Sequence, residues 1–470
     1  MNKIYGLLIM VVLSGNLLIA QNKVVKYGQL TPLPRQDKAM QNFRENRFGQ
    51  FIHWGLFALP AGEWKGKIYP SACEFLPKSA NISAQEWRTL ASKFDPVKYN
   101  AEEWAKYAKK MGVKYATITT KHHDGFCLWP SKYTDFDMEI TPSKRDLIGE
   151  FVKAYNAQGI DVYLYYSILD WDHPDWRYDL KSREDSIAFE RFKTYTRNQL
   201  VELLDRYPSV KGFWFDGTWD NSWKKNGIFS YELEKELKEK SPGLIVNSRF
   251  RADEYGARHF DSNGVLMGDY ESGYERRLPS PYDKVVPTRD WEAVMTIPEN
   301  LWGFHKRWDG FIKTDLQLIE MLVRCVALNG NFLLNFGPTA QGDFRKEEMI
   351  KMQQIGRWME KYGDAVYKCG YAGLERQDWG YYTGIKNSNR VNLVVFNVPV
   401  NGLLRVKLDK SFYVSQAGFM ALKGKIAIQP SVNGEYFLQL PKRSYDEPFV
   451  IQITIDNLKN EGNHYMPPLI

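Results

Sequence analysis

Eight short β-forming runs recur between residues 50 and 338, and their alternation with helical segments limits what this chain can become. They lie at 50–57 (QFIHWGLF), 115–121 (YATITTK), 161–168 (DVYLYYSI), 212–215 (GFWF), 244–249 (LIVNSR), 264–271 (GVLMGDYE), 291–297 (WEAVMTI) and 331–338 (NFLLNFGP). Helical periodicity fills several of the gaps: 87–110, with Asn100 as a cap before Glu102 and Glu103, then 146–158 and 183–206. A further helix is expected at 347–362. The helical signal fades after the fifth and sixth runs, where the connections read as loops. Strand–helix alternation of this kind predicts parallel pairing, and eight units predict a (β/α)8-like TIM barrel.

From about residue 368 the pattern changes to short alternating runs (YYTGIK, RVNLVVFNV, LLRVKL, EYFLQL, FVIQITI) punctuated by Gly402, Asn433-Gly434 and Pro441. This predicts a C-terminal antiparallel β-sandwich. The expected organisation is a signal peptide over 1–20, a catalytic barrel over 21–366, a sandwich over 367–456 and a tail over 457–470. Lys3, the apolar run 4–13 and Ala20 make up the signal, so export to the periplasm or beyond, with cleavage near Ala20, is expected. No later stretch reaches the ~18 apolar residues of a membrane span, so membrane insertion is not expected. A net charge of +7 over 470 residues, without a basic block, argues against nucleic acid as a partner. Four irregularly spaced cysteines, with no CxxC pair, exclude a disulfide-dense scaffold and give little support to structural zinc.

Polar or ionisable residues fall toward the C-terminal end of nearly every run: His53, His122, Asp170, Asp216, Arg249, Asp269 and Asn335. In such a barrel the C-terminal rim carries the active site, while the interior is packed. The centre of the pattern is KGFWFDGTWD, where Asp216 ends an aromatic strand and Gly217 begins a turn. A charge there is costly unless it is used or paired. Glycosidic hydrolysis needs one carboxylic acid to protonate the leaving oxygen and one carboxylate to attack or to activate water. Asp216 suits the second role. Asp269, Glu271 and Glu275 in GDYESGYERRLP, and Glu292 after Trp291, are the candidate partners, with salt bridges to Arg276, Arg277 or Arg289 as their structural alternative. A Glu buried beside Tyr274 and near an ionised Asp216 would have its pKa raised, as a general acid requires.

His53 in FIHWG and His122–His123 in KHHDGF suit hydrogen bonding to sugar hydroxyls, or zinc. A metal-dependent barrel hydrolase is therefore one alternative, and a non-catalytic sugar-binding protein on a degenerate barrel another. Against metal, His53 stands alone on its strand, and adjacent His122 and His123 would point to opposite faces of a strand. Trp54, Trp64, Trp129, Trp171 and Trp302 sit beside the polar motifs, as core or as sugar-stacking rings.

FIHWG, TTKHHDGFCLW, FWFDG, VNSRF, DWEAVMTI, WGFH and GNFLLNFGP, in this order across residues 30–370, resemble the family 29 α-L-fucosidases. The resemblance implies an exo-acting, retaining hydrolase of terminal α-L-fucose on glycans, working through a covalent fucosyl–enzyme intermediate without metal or other cofactor. It implies Asp216 as nucleophile. It also implies sugar contacts from His53, Glu63, Trp64, His122, His123, Tyr165, Trp214 and Arg249, with Trp302 near the sugar's methyl group. The acid/base lies on a loop of variable length in that family. The expectation here is Glu275, which lies beyond the strand, with Glu271 second and Glu292 as a supporting residue.

Overall fold

A computed structural model describes residues 23–307 and 310–458. The expected signal segment and residues 459–470 of the expected tail lie outside the described residues. Eight parallel strands form one sheet: β1 (Phe48–Ile52), β2 (Tyr115–Lys121), β3 (Asp161–Ser167), β4 (Gly212–Asp216), β5 (Ile245–Val246), β6 (Glu271–Glu275), β7 (Trp291–Thr296) and β8 (Asn331–Phe336). Their spatial order is β5-β4-β3-β2-β1-β8-β7-β6. The two edges meet through a parallel bridge between Asn247 and Tyr270 and the bond from Ser248 N–H to the Tyr270 carbonyl at 3.0 Å, closing the barrel.

The helices follow from local signals. α1 (Lys38–Asn46) is capped by Asp37, and α2 (Ala101–Met111) by Asn100, whose side chain accepts from the Glu103 N–H. α3 (Leu147–Ala157) and α4 (Arg183–Arg206) follow β2 and β3, and Ser182 with Asp185 makes a capping box at the start of α4. α5 (Gly227–Lys240) and α6 (Asp315–Ala327) follow β4 and β7 and were not expected, although Thr314 and Gln317 form a readable capping box. α7 (Lys346–Tyr362) completes the layer. Among the described residues no α-helix follows β5 or β6, as the weak periodicity there implied.

Inside the barrel Phe51, Tyr115, Tyr163, Tyr165, Trp214, Ile245, Val294 and Leu333 pack together, and Met40 and Phe43 of α1 plug the N-terminal end. The Phe43 ring lies 4.7 Å from that of Tyr270. The barrel is therefore filled by side chains below its C-terminal rim. Beyond α7 two antiparallel sheets, of five strands and three, form the C-terminal unit. Trp358 of α7 donates to the Pro448 carbonyl at 2.8 Å, fixing that unit against the barrel. No helix among the described residues is long and apolar enough to cross a membrane.

Three expectations about the barrel change. The sixth strand is Glu271–Glu275 and not 264–271, because the chain before it is spent in a looped segment with bridges Ala252–Arg258 and Phe260–Leu266. Asp269 therefore precedes its strand. It is fully buried at the N-terminal end, bound to Arg35 at 2.9 Å and Lys238 at 2.8 Å, and accepts the Val246 N–H. It is a clamp on the barrel floor and not a rim residue. Finally, β2 ends at Lys121 with a register irregularity just before it, so His122 and His123 lie in a turn. Their rings stand 4.2 Å apart instead of on opposite faces.

Candidate active site

Asp216 ends β4, and the next residue turns the chain away with φ +73°, a conformation that glycine adopts without strain. A Cβ at Gly217 would also lie 2.7 Å from Leu169. The Asp216 carboxylate is held from two sides. Arg249 Nη1 donates to Oδ1 at 3.1 Å; the Tyr165 hydroxyl donates to Oδ2 at 3.2 Å, and His123 Nε2 stands 3.8 Å from the same oxygen. Burial acts to raise its pKa, but the Arg249 charge and the Gly217 N–H outweigh burial and hold it below the usual carboxylate value.

Arg249 organises the site. It lies just beyond β5, and its guanidinium rests 4.6 Å above the Trp214 ring. Nε and Nη2 donate to the Ser272 carbonyl at 3.1 and 3.0 Å, and Nη2 reaches Glu275 Oε2 at 2.7 Å. One guanidinium thus bridges Asp216 on β4 and Glu275 on β6. Glu275 is the last residue of its strand, 30% exposed at the side chain instead of buried as expected, and Arg276 after it takes φ 54° to turn the chain.

The other acidic candidates lie elsewhere. Glu271 is four residues earlier, at the N-terminal end of β6 beside Trp291, where it pairs with Arg289 at 2.6 Å. Glu292 sits inside the barrel, accepting from Tyr115 at 2.7 Å and from Trp214 Nε1 at 3.0 Å. Burial pushes its carboxyl up to about 7 against those two hydrogen bonds. It fixes the indole on which Arg249 rests.

The histidines are neutral acceptors. Burial pulls His53 down to about 3 and His123 to about 4. Asn335 gives its amide N–H to the Trp302 carbonyl at 2.7 Å and presents its oxygen to His53 Nδ1 at 2.6 Å. Ser167 donates to the Leu169 carbonyl, so it accepts from His123 Nδ1 at 2.6 Å. In both rings Nδ1 is the donor, which leaves Nε2 with a free lone pair. His122 stacks on Tyr165 with rings 5.3 Å apart, and burial lowers its pKa well below the usual value. Trp302 lies 5.0 Å from His53. Asp170, near the end of β3, is a buried partner of Lys121 at 2.9 Å and holds the Asp172 and His173 N–H groups.

Two expected contacts are differently engaged. Glu63 and Trp64 form a hairpin with Lys67–Ile68; Glu63 pairs with Lys306 at 3.2 Å and Arg307 at 3.3 Å, and Trp64 packs 6.2 Å from Trp87. Of the remaining tryptophans, Trp54 and Trp129 are fully buried core. Glu74 had not been singled out. It is buried beside Gly303, and burial pushes it up to about 7 against the Glu74 and Gly303 N–H groups, with the Glu275 charge adding to the rise. Its one sequence signal is an acid standing in the turn Cys73–Phe75 ahead of Leu76. Arg258, buried enough to fall to about 10, grips the Thr218 hydroxyl at 2.7 Å beside the Asp216 turn.

Among the described residues no three His, Cys, Asp or Glu side chains converge as a metal-binding set. The arrangement is a cluster of two carboxylates on one guanidinium over packed aromatics, with acceptor imidazoles around them, suited to a neutral, hydroxyl-rich ring.

A model of the α-L-fucosidase family matches residues 18–364. Tissue α-L-fucosidase of Mus musculus is 27% identical over 401 residues, covering 82% of this chain and 84% of its own. A bacterial fucosidase solved with a monovalent iminocyclitol inhibitor is 55% identical, with a TM-score of 0.91 over 93% of this chain and 100% of the other. The family 29 α-L-fucosidase of Bacteroides thetaiotaomicron, trapped as a covalent intermediate with 2-fluoro-fucosyl fluoride, is 54% identical, with a TM-score of 0.91 over 92% and 100%. On the barrel, the rim constellation and these matches, the chain belongs to the α-L-fucosidases of glycoside hydrolase family 29.

Proposed function

We propose that the enzyme removes terminal α-L-fucose from glycans with retention, using Asp216 as nucleophile and Glu275 as acid/base. The bridging of both carboxylates by Arg249 carries this reading. In the first step an Asp216 oxygen attacks the anomeric carbon as the glycosidic C–O bond breaks, and Glu275 gives its proton to the departing oxygen. A fucosyl ester on Asp216 results. Glu275, now ionised, takes a proton from water, whose oxygen attacks the anomeric carbon and displaces Asp216. Two inversions give net retention. The trapped intermediate of the Bacteroides relative supports the covalent step. Retaining enzymes hold the two carboxyls ~5–5.5 Å apart, without room for an intervening water, and a shared guanidinium suits that spacing. The Nε2 lone pairs of His53 and His123 accept sugar hydroxyls, and their hydrogen bonds tighten as positive charge develops on the ring. His122, Tyr165, Trp214 and Trp302 shape the wall, and Glu63 and Trp64 on the hairpin after β1 supply further sugar contacts.

Azide rescue tests the two roles. Asp216→Gly loses nearly all turnover and regains it as a fucosyl azide of inverted configuration. Glu275→Ala with azide gives the retained anomer. Full activity in Glu275→Ala, or retained azide from Glu271→Ala, overturns the assignment. Export is proposed on the N-terminal segment alone, and sequencing the N-terminus of the fractionated protein should find it starting near residue 21.

A further inference from the structure

The strand that carries Glu275 is irregular. β6 pairs with β7 as Glu271 with Trp291, Tyr274 with Ala293 and Glu275 with Val294, so Ser272 and Gly273 together face the single residue Glu292. This is a β-bulge, and its extra residue changes which way the end of the strand points. In a regular strand residues four apart share a face. Glu271 and Glu275 would then both take the outer side, with Trp291. The bulge inverts the alternation, and Glu275 takes the inner side with Val294, which packs inside the barrel.

A bulged residue leaves the regular ladder, so its backbone groups must find partners elsewhere. Ser272 gives its N–H to Ser248 Oγ at 3.1 Å, and its carbonyl accepts Arg249 Nε and Nη2 at 3.1 and 3.0 Å. Two consecutive residues beyond β5 thus grip one residue of β6 by both its backbone groups. The Ser248 hydroxyl stands in turn 3.1 Å from His259 Nδ1 and 3.3 Å from Ser272 Oγ. His259 holds φ 65°, a left-handed conformation that any side chain adopts at a cost, and its carbonyl accepts the Met267 N–H at 2.8 Å. Its loop is fixed from outside as well, where Glu254 accepts the Lys26 and Tyr27 N–H groups at 2.6 and 3.1 Å. We propose that Ser248 and His259 are positioning residues that hold the bulge in β6 and so keep Glu275 turned into the site. This rests on Glu275 being the acid/base. Both act through Ser272.

Two substrates separate this role from a structural one. Dinitrophenolate leaves as the anion, so kcat/KM for dinitrophenyl α-L-fucoside needs no proton from Glu275, whereas kcat/KM for methyl α-L-fucoside does. In Ser248→Ala and His259→Gly the ratio of the methyl to the dinitrophenyl value should fall about five- to tenfold, the scale of one lost hydrogen bond. Glycine keeps the left-handed backbone, so the second variant removes the ring alone. His259→Asn keeps a hydrogen-bonding group near the place of Nδ1 and tolerates this φ, and should restore most of the ratio. Glu275→Gln should lower the ratio much further, and adding His259→Gly to it should lower it no more. Equal losses on both substrates, an unchanged ratio, or a further fall in the double variant would overturn the positioning role. An unchanged ratio in Glu275→Gln alone would overturn the acid/base assignment, and this role with it.

Discussion

Replacing Arg249 by Met is the most informative single change, because one guanidinium serves both carboxylates. In the native site, Arg249 contacts Asp216 at 3.1 Å and Glu275 at 2.7 Å, with side chains only 11%, 16% and 30% exposed. Hydrogen bonds to charged groups contribute ~1.5–3 kcal/mol each, and breaking a buried ion pair costs ~3–5 kcal/mol. Glu275 is open to solvent, so its contact belongs at the low end, and about 3–4 kcal/mol in all is a fair expectation. That corresponds to a loss of roughly 10²–10³ in kcat/KM. The pH profile gives a second reading. Burial alone would raise the Asp216 pKa, and Arg249 is the largest influence holding it down. Without Arg249 the carboxylate ionises at higher pH, so the acidic limb of kcat/KM should move upward. Arg249→Lys retains a charge but not the fork, and should fall between Met and wild type. The assay is release of nitrophenol from an aryl α-L-fucoside between pH 3 and 9. A loss below about fivefold with an unmoved acidic limb would refute the bridging role.

Further outcomes follow from other residues. Glu271→Gln should retain kcat within about twofold while lowering Tm slightly, since it breaks a partly exposed pair with Arg289 on the barrel floor; calorimetry and kinetics together check it. Glu292 has a folded pKa of about 7, above its unfolded value, so its contribution to stability is present at low pH and lost as pH rises through about 7. Glu292→Gln should therefore show a smaller fall in Tm between pH 5 and 8. Turnover should be unaffected by EDTA, whereas loss that zinc or calcium restores would revive the metal-dependent alternative. All four cysteines are free and buried, so reductant should leave Tm unchanged.

Much of the barrel was readable because its signals are local. β2 occupies the predicted span, and the helix Arg183–Arg206 fills the span expected for it. The rim position of Asp216, His53, Arg249 and Asn335 followed from strand order alone. The sixth strand was misread because GVLMGDYE has the greater β propensity, yet ESGYE pairs with β7. Glu271 lies opposite Trp291 and Glu275 opposite Val294, a choice made by a partner strand some 20 residues away.

What the chain determines by itself is thus the repeating alternation, the carboxylate at the end of β4 and the motif set of its family. These rest on short-range propensity and on residue types that mean the same in any context. Which glutamate reaches the rim, how His122 and His123 come to lie side by side, and why Glu74 is buried within reach of the Glu275 charge were decided only in three dimensions. Each depends on register or on a loop crossing the barrel mouth, and the energies that fix those come from burial and pairing between residues far apart in sequence.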